Sequence, residues 1–522
     1  MTSHLQRLEM PQNPESEIWV DEAIWGHRLY DEQTPWLCFL EFLGIVQSEL
    51  LQSRALIEIE DNRNNLKYAP ARKLYLRNIL FNNPYLESIN SMHFDDNEKW
   101  KEWCDLMNRS SGGIGDPDFT YLREKFQNFS DFTEVIRFLQ SSAIEGDSNK
   151  RWSSKFVFPY GPNCLYEDLR VSSKDNKVSN DRRFFARTGE ILYLMLCRSS
   201  KSQEVLNFLI ELKIVCADKE SNVLTKWDRL VRKLEREVDS NIASESRKPP
   251  YLPYSALPDY DELAEDWLHI GDCNMPDFDA LPHIVQITGL HMLIYYLRRA
   301  KEILNIESQP SFVLEIVAPR KTFIRTLASD SYLENNNYSE RAIKAYIEEF
   351  KESESWKNCH DAGVAMDLME KKFAWPSRAD RDKFTEADQP ERILQTLLNK
   401  AISRHKQHIS KFHSSWSKEI GLATRRGSRR NRYAPSDSLL KSLVLTNVSS
   451  RMEFQEFLDK LYRKYGIIIG DKQAGTFIKE GLADQEVFSD NALRLEERLA
   501  SIGLLKRLSD ACAYVKNPFA KE

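Results

Sequence analysis

Between residues 454 and 465 the apolar positions are Phe454, Phe457, Leu458, Leu461, Tyr462 and Tyr465, an i, i+3, i+4, i+7, i+8, i+11 series. Only an α-helix brings such positions onto one face. Arg451, Glu453, Gln455, Glu456, Asp459, Lys460, Arg463 and Lys464 all fall off that stripe. Ser450 and Glu453 read as an S-x-x-E capping box opening the helix, and Gly466 supplies the left-handed position that ends it. Ser436 is likewise placed to cap a helix carrying Leu439, Leu440, Leu443 and Leu445. Glycine, at 18 of 522 residues, is about half as common as the ~7% average. With long runs of Leu, Glu, Lys and Arg, this favours helix throughout. The chain therefore reads as mostly α, with short strands expected only at 55–60, 155–159, 312–317 and 467–469.

This length suggests about three domains. Polar or proline-rich breaks fall at 172–181, 239–262 (with Pro249, Pro250, Pro253 and Pro258), 376–391 and 423–436. They predict a multidomain chain: a helical N-terminal unit over 1–240, a helical middle unit over 260–422, a basic linker over 423–436 and a C-terminal unit over 437–522. Trp19, Trp25, Trp36, Phe39 and Phe42 read as the core of the first unit, with an exposed partner-docking patch as the alternative. The eight cysteines form no C-x-x-C pair, which argues against zinc ribbons and suits reduced thiols. The opening residues MTSHLQRLEMPQNPESE hold no apolar core of the signal-peptide type. No apolar run approaches the ~20 residues of a membrane span. A cytoplasmic protein without membrane contact is expected.

In the last unit a helix is predicted from Ser489 or Asp490 to Gly503, with Ala492, Leu495, Leu499 and Ile502 buried. Then come LLKRL (504–508), a polar turn at Ser509-Asp510, and ACAYV (511–515), which read as a hairpin. Helices, a final helix and then a hairpin resemble a winged helix-turn-helix over about the last 85 residues. In DNA-binding members of that family the last helix enters the major groove. The resemblance implies that Asn491, Arg494, Arg498 and Ser501 face bases or phosphates, with Lys506 and Arg507 on the first hairpin strand. Glu497 on the same face and Asp510 in the turn run against phosphate contact. Many winged helices dock proteins instead.

The net charge of −6 alone argues against a nucleic-acid partner, but the charge is unevenly spread. From Lys400 to Arg432 ten basic residues face one acid, Glu419, a local excess of nine that leaves −15 for the other 489 residues. The end of this run, TRRGSRRNRYAPS, carries Arg425, Arg426, Arg429, Arg430 and Arg432. Arginines spaced by Gly and Ser suggest a flexible arm that tracks a phosphate backbone. A solvated loop, or an arm for an acidic protein, is the alternative.

Residues 269–291 are rich in metal-capable side chains, with His269, Asp272, Cys273, Asp277, Asp279, His283 and His291, but their spacing matches no zinc pattern. His405 and His408, three apart, could share a metal only with ligands from elsewhere. No metal or cofactor is predicted. Arg182, Arg183 and Arg187 could hold a phosphate at the start of the helix near 191–197, though a solvated helix entry explains them as well. No P-loop, dinucleotide fingerprint, G-x-S-x-G or H-E-x-x-H occurs; Gly112-Gly113-Ile114-Gly115 follows a helical stretch, not a strand, and Glu211-Leu212-Lys213 lacks a partner acid.

The segments RFFARTGEILYLMLCRS (183–199), RKTFIRTLASDSYLENNN (320–337) and LSDACAYVKNPF (508–519) are similar to uncharacterised accessory proteins of bacterial phage-defence islands. That resemblance implies an operon shared with methyltransferases, ATPases and nucleases. Together with the arginine arm and the winged-helix order, that context leads to the expectation of a non-catalytic DNA-binding subunit working with proteins encoded by neighbouring genes. The alternatives are a protein-interaction scaffold, or a metal-dependent nuclease using 269–291.

Overall fold

A computed structural model describes residues 7–11, 16–57, 72–73, 75–111, 117–144, 156–171, 178–180, 186–218, 224–235, 250–317, 323–385, 387–427, 429–509 and 512–520. Helices dominate and strands are short, so the mostly α, multi-unit expectation holds. At the centre lies the helix Ala280–Ile303, buried along almost its whole length. A helix that is apolar nearly all round must be interior. Packed on it are Pro35–Leu50, Pro258–Gly271, Ile324–Lys351 and Asp437–Asn447. Trp25 Nε1 donates to Tyr296 O at 2.9 Å and Tyr295 Oη donates to Trp25 O at 3.0 Å, which ties the N-terminal segment to this helix.

One continuous core takes residues from Ile18 to Val515. A satellite core forms around Trp100, Trp103, Phe129 and Phe132, closed by Val231 and Leu234. Of the 239–262 break, the part from 250 onward is no exposed linker. Tyr251, Leu252, Tyr254 and Leu257 are buried, and Tyr251 N donates to His27 Nδ1 at 2.8 Å. In the 172–181 break, Val178–Asn180 pairs as a strand with Glu167–Val171.

Of the expected strands, 312–317 and 467–469 shorten to Phe312–Val313 and Ile467–Ile468, which pair in parallel. In 155–159 only Val157 makes a bridge, to Ala143. Ala55 and Leu56 form a turn, and 58–60 lie outside the described residues.

At the C-terminal end, Ser436 Oγ accepts from Leu439 N at 3.2 Å, and the helix Asp437–Asn447 follows. Ser450 does not cap the next helix. Arg451–Glu453 instead form a strand that pairs with Cys512–Lys516, and Glu453 caps Phe454–Tyr465 by accepting from Glu456 N at 2.9 Å. Gly466 ends that helix at φ 71°. The last helix is Gln485–Ser501, starting a turn earlier than expected. The strands Leu505–Ser509 and Cys512–Lys516 form the expected hairpin, which Arg451–Glu453 extends to three strands. Its turn residues 510–511 lie outside the described residues.

Candidate nucleic-acid interface

The arginine segment is not a loose arm. Ala423–Thr424 pairs antiparallel with Arg432–Tyr433, and the described residues 425–427 and 429–431 lie in the loop of this short hairpin. The hairpin root is anchored. Arg432 is only 1% exposed and its Nε binds the carboxylate of the fully buried Glu315; Arg325 Nε donates to the other oxygen at 2.7 Å. Glu315 N donates to Tyr433 O at 3.0 Å. The Tyr433 hydroxyl accepts from Asn335 Nδ2 at 2.9 Å and lies 2.6 Å from Nε2 of the buried His413. Burial alone pushes the His413 imidazole down to about 3, so it stays neutral and can accept a hydrogen bond from the tyrosine hydroxyl. Asn431 Nδ2 donates to Tyr332 Oη at 3.3 Å.

Arg432 is therefore a correction to the predicted contact set. Burying a guanidinium is tolerable only against a carboxylate, and Glu315 supplies it. Arg425, Arg426, Arg429 and Arg430 remain exposed on the loop. No acid occurs from Ile420 to Ser436. Gly427, at φ 69°, makes the turn.

Asn491 is a second correction. It is 0% exposed: Nδ2 donates to Leu314 O at 2.9 Å and Ile469 O at 3.0 Å, and Oδ1 accepts from Ile316 N at 2.9 Å. It binds the last helix to the ends of the parallel strand pair and has no face toward solvent.

The other predicted residues stay at or near the surface but mostly meet acids. Arg494 lies 3.6 Å from Asp490, Arg498 donates to Asp437 Oδ1 at 2.7 Å, and Arg507 lies 2.9 Å from Glu496. Ser501 Oγ donates back to Arg498 O at 2.7 Å, and Lys506 is exposed on its strand. The outward face of the last helix shows Glu486, Asp490, Leu493 and Glu497, at i, i+4, i+7 and i+11. A face of that sign repels phosphate.

The metal-capable stretch is used internally. His283 Nδ1 lies 2.7 Å from Ser442 Oγ, and His291 Nε2 lies 2.6 Å from Asp266 Oδ2. Asp266 also accepts from Tyr465 Oη at 2.7 Å and pairs with Lys464. These contacts fasten the C-terminal helices to Pro258–Gly271 and Ala280–Ile303. His405 Nε2 lies 3.2 Å from Ser339 Oγ, and the His408 ring lies against Tyr30. Among the described residues no three His, Cys, Asp or Glu side chains gather as a metal site. Arg187 is buried against Glu190, while Glu41 accepts from Arg187 N and Gly189 N at the start of Thr188–Cys197. A carboxylate thus occupies the position proposed for phosphate. Arg182, Arg183 and 112–115 lie outside the described residues.

The hairpin, its anchors on Ile324–Lys351 and the C-terminal sheet all fall within one stretch of sequence. Residues 318–517 match the family model of the methylation-associated defense system protein MAD7. The MAD7 span contains two of the three segments similar to defence-island proteins, save the last residues of 508–519, and excludes 183–199. No curated protein and no solved structure is similar enough to match. Among the described residues no helix is long and apolar enough to cross a membrane.

Sequence reasoning missed the anchoring pairs, Glu315 with Arg432 and Asp266 with Tyr465, because each joins positions more than a hundred residues apart. It also missed the exposed basic face of Lys226–Lys233, which the string KWDRLVRK already signals.

Proposed function

We propose that this chain is a non-catalytic DNA-binding subunit of a methylation-associated anti-phage assembly, gripping the duplex backbone with its arginine hairpin. The observation that carries this reading is the anchored loop. Four arginines project from a root pinned by Glu315 and Tyr433, with no acid among them. Guanidinium groups held near one another lose less freedom on meeting phosphates than a floppy arm would. The similarity to a defence-system protein supports the context, and proteins encoded nearby would supply the chemistry.

The order helix, strand, helix, strand, helix, helix, hairpin supports a winged-helix reading of 437–522, with the strand Ile467–Ile468 paired outside that span. Within it Arg494, Arg498, Ser501, Lys506 and Arg507 have a lesser part, flanking the backbone rather than reading bases, because three of them already meet acids. A second reading is a scaffold whose last helix docks a basic partner protein. The acidic outward face with Leu493, 45% exposed, favours it.

Duplex binding measured against salt tests the first reading. Each neutralised phosphate contributes about −0.9 to the slope of log K against log salt, so four arginines give at most roughly −3.6, on the order of a 100-fold loss from 50 to 200 mM. Replacing Arg425, Arg426, Arg429 and Arg430 with Gln should remove most of that slope. An unchanged slope overturns the hairpin reading. Undetectable duplex binding at low salt, with stable co-purification of an operon neighbour, favours the scaffold.

A further inference from the structure

The helix Lys226–Lys233 covers one side of the satellite core. Thr225 caps it, accepting from Asp228 N at 3.0 Å. Asp228, Val231 and Leu234 face inward. Asp228 is the helix's sole acid, and it is fully buried: Oδ1 accepts from Asn163 N at 2.7 Å and Oδ2 from Asn163 Nδ2 at 2.6 Å. A Cβ at Gly161 would come within 2.7 Å of the Asp228 side chain, so the chain approaches it closely on that side too. With the acid consumed inside, the outer face shows only Lys226, Trp227, Arg229, Arg232 and Lys233 as exposed residues. Lys226, Arg229 and Lys233 stand at i, i+3 and i+7, one cationic stripe about 10 Å long.

Trp227 flanks that stripe and is 41% exposed. Its ring stacks on Phe138 at 4.3 Å and 18°, with Tyr160 at 6.0 Å. Phe138 and Tyr160 are themselves packed at the edge of the satellite core. The indole is thus backed by a second ring and held in one orientation. An aromatic plane beside a row of cations is the combination that binds unpaired nucleotides: bases stack on the plane and phosphates follow the charge. A duplex keeps its bases stacked inside and offers no ring face to such a plane.

We infer that this face binds single-stranded nucleic acid, with a base on Trp227 and adjoining phosphates on Lys226, Arg229 and Lys233. The site is separate from the arginine hairpin, which roots in the other core. It does not rest on the hairpin reading.

The full-length protein, titrated into a fluorescently labelled oligothymidylate and separately into a labelled duplex, provides the test. Base stacking is worth roughly 5- to 150-fold in affinity. Trp227→Ala should weaken oligothymidylate binding by a factor in that range, and Trp227→Phe should restore most of it. Changing Lys226, Arg229 and Lys233 together to Gln should weaken binding and flatten its salt dependence. Both changes should leave the duplex titration as in the parent protein. Unaltered oligothymidylate affinity in Trp227→Ala overturns the inference, as does an equal loss on single strand and duplex. So does release of a co-purifying acidic protein by the triple variant with oligothymidylate affinity intact. A hairpin variant that loses duplex binding but keeps oligothymidylate binding separates the two surfaces.

Discussion

The anchor beneath the arginine loop makes a quantitative prediction. Glu315→Gln keeps the shape of the side chain and the backbone bond from Glu315 N to Tyr433 O, and removes the charge. The amide can still accept from one guanidinium, but its NH2 then faces the donors of the other. Arg325 retains some exposure, 16% of its side chain, and can turn to water; Arg432, at 2%, cannot. The cost therefore falls on Arg432, a buried cation left unpaired, and such losses are about 3–5 kcal/mol. Against a total stability of roughly 5–15 kcal/mol, that opens the hairpin root well before the whole chain unfolds. Amide hydrogen exchange reads it directly. Protection of the bonds between Ala434 N and Leu422 O and between the paired strands should fall roughly 150- to 5000-fold. The double change Glu315→Leu with Arg432→Met should recover most of it, since an apolar pair of similar volume needs no charge compensation. Protection within threefold of the parent in Glu315→Gln would refute the claim that this ion pair holds the loop in place.

Two further outcomes are expected. Asn491→Ala strands two buried carbonyls and a buried N–H, each loss about 1–3 kcal/mol, and should lower the melting temperature of the C-terminal helices by several degrees; a shift below about 2 °C would count against the clamp. Burial pushes His413 from 6.5 down to about 3 and His283 down to about 4. The unfolded chain therefore binds protons that the folded chain refuses, so their contribution is complete above pH 6.5 and is lost as pH falls toward 4 and below. Thermal stability should decline across that window and flatten in His413→Gln; an identical pH slope in that variant excludes His413 as a source.

The parts of the fold that local chemistry decides were legible in the sequence. The stripe from Phe454 to Tyr465 needed only helical spacing, and the Ser436 cap and the Gly466 stop needed only their own side chain or its absence. What failed did so through distance. Asn491, Arg494, Arg498 and Ser501 share helical spacing, and polarity places all four outside. Yet Asn491 also neighbours Phe488 and Leu495, and the carbonyl of Leu314, 177 residues earlier, makes the interior side polar enough to take it. Ser450 lost its cap role because strand pairing with Cys512–Lys516 claimed the residues after it. Charge counting placed Arg432 among the surface arginines because the sum over a window is blind to Glu315, 117 residues away.

The same blindness changes what the basic segment means. Of the ten cations between Lys400 and Arg432, Lys400 lies 2.6 Å from Asp380, Arg404 lies 2.6 Å from Glu22, Lys406 reaches Glu340 at 4.0 Å, and Arg432 is enclosed with Glu315. Four of the ten therefore meet acids within the fold, and Arg425, Arg426, Arg429 and Arg430 are exposed together on the loop. Under the proposed hairpin reading, a footprint of about four phosphates would give modest affinity at physiological salt, and the surrounding chain, acidic overall, would oppose spreading to other contacts. Such a loop would contribute orientation more than strength. Tight engagement would need either a second nucleic-acid surface on the same chain, such as the Trp227 face, or a partner protein that brings its own contacts, because linked weak sites multiply where each alone dissociates.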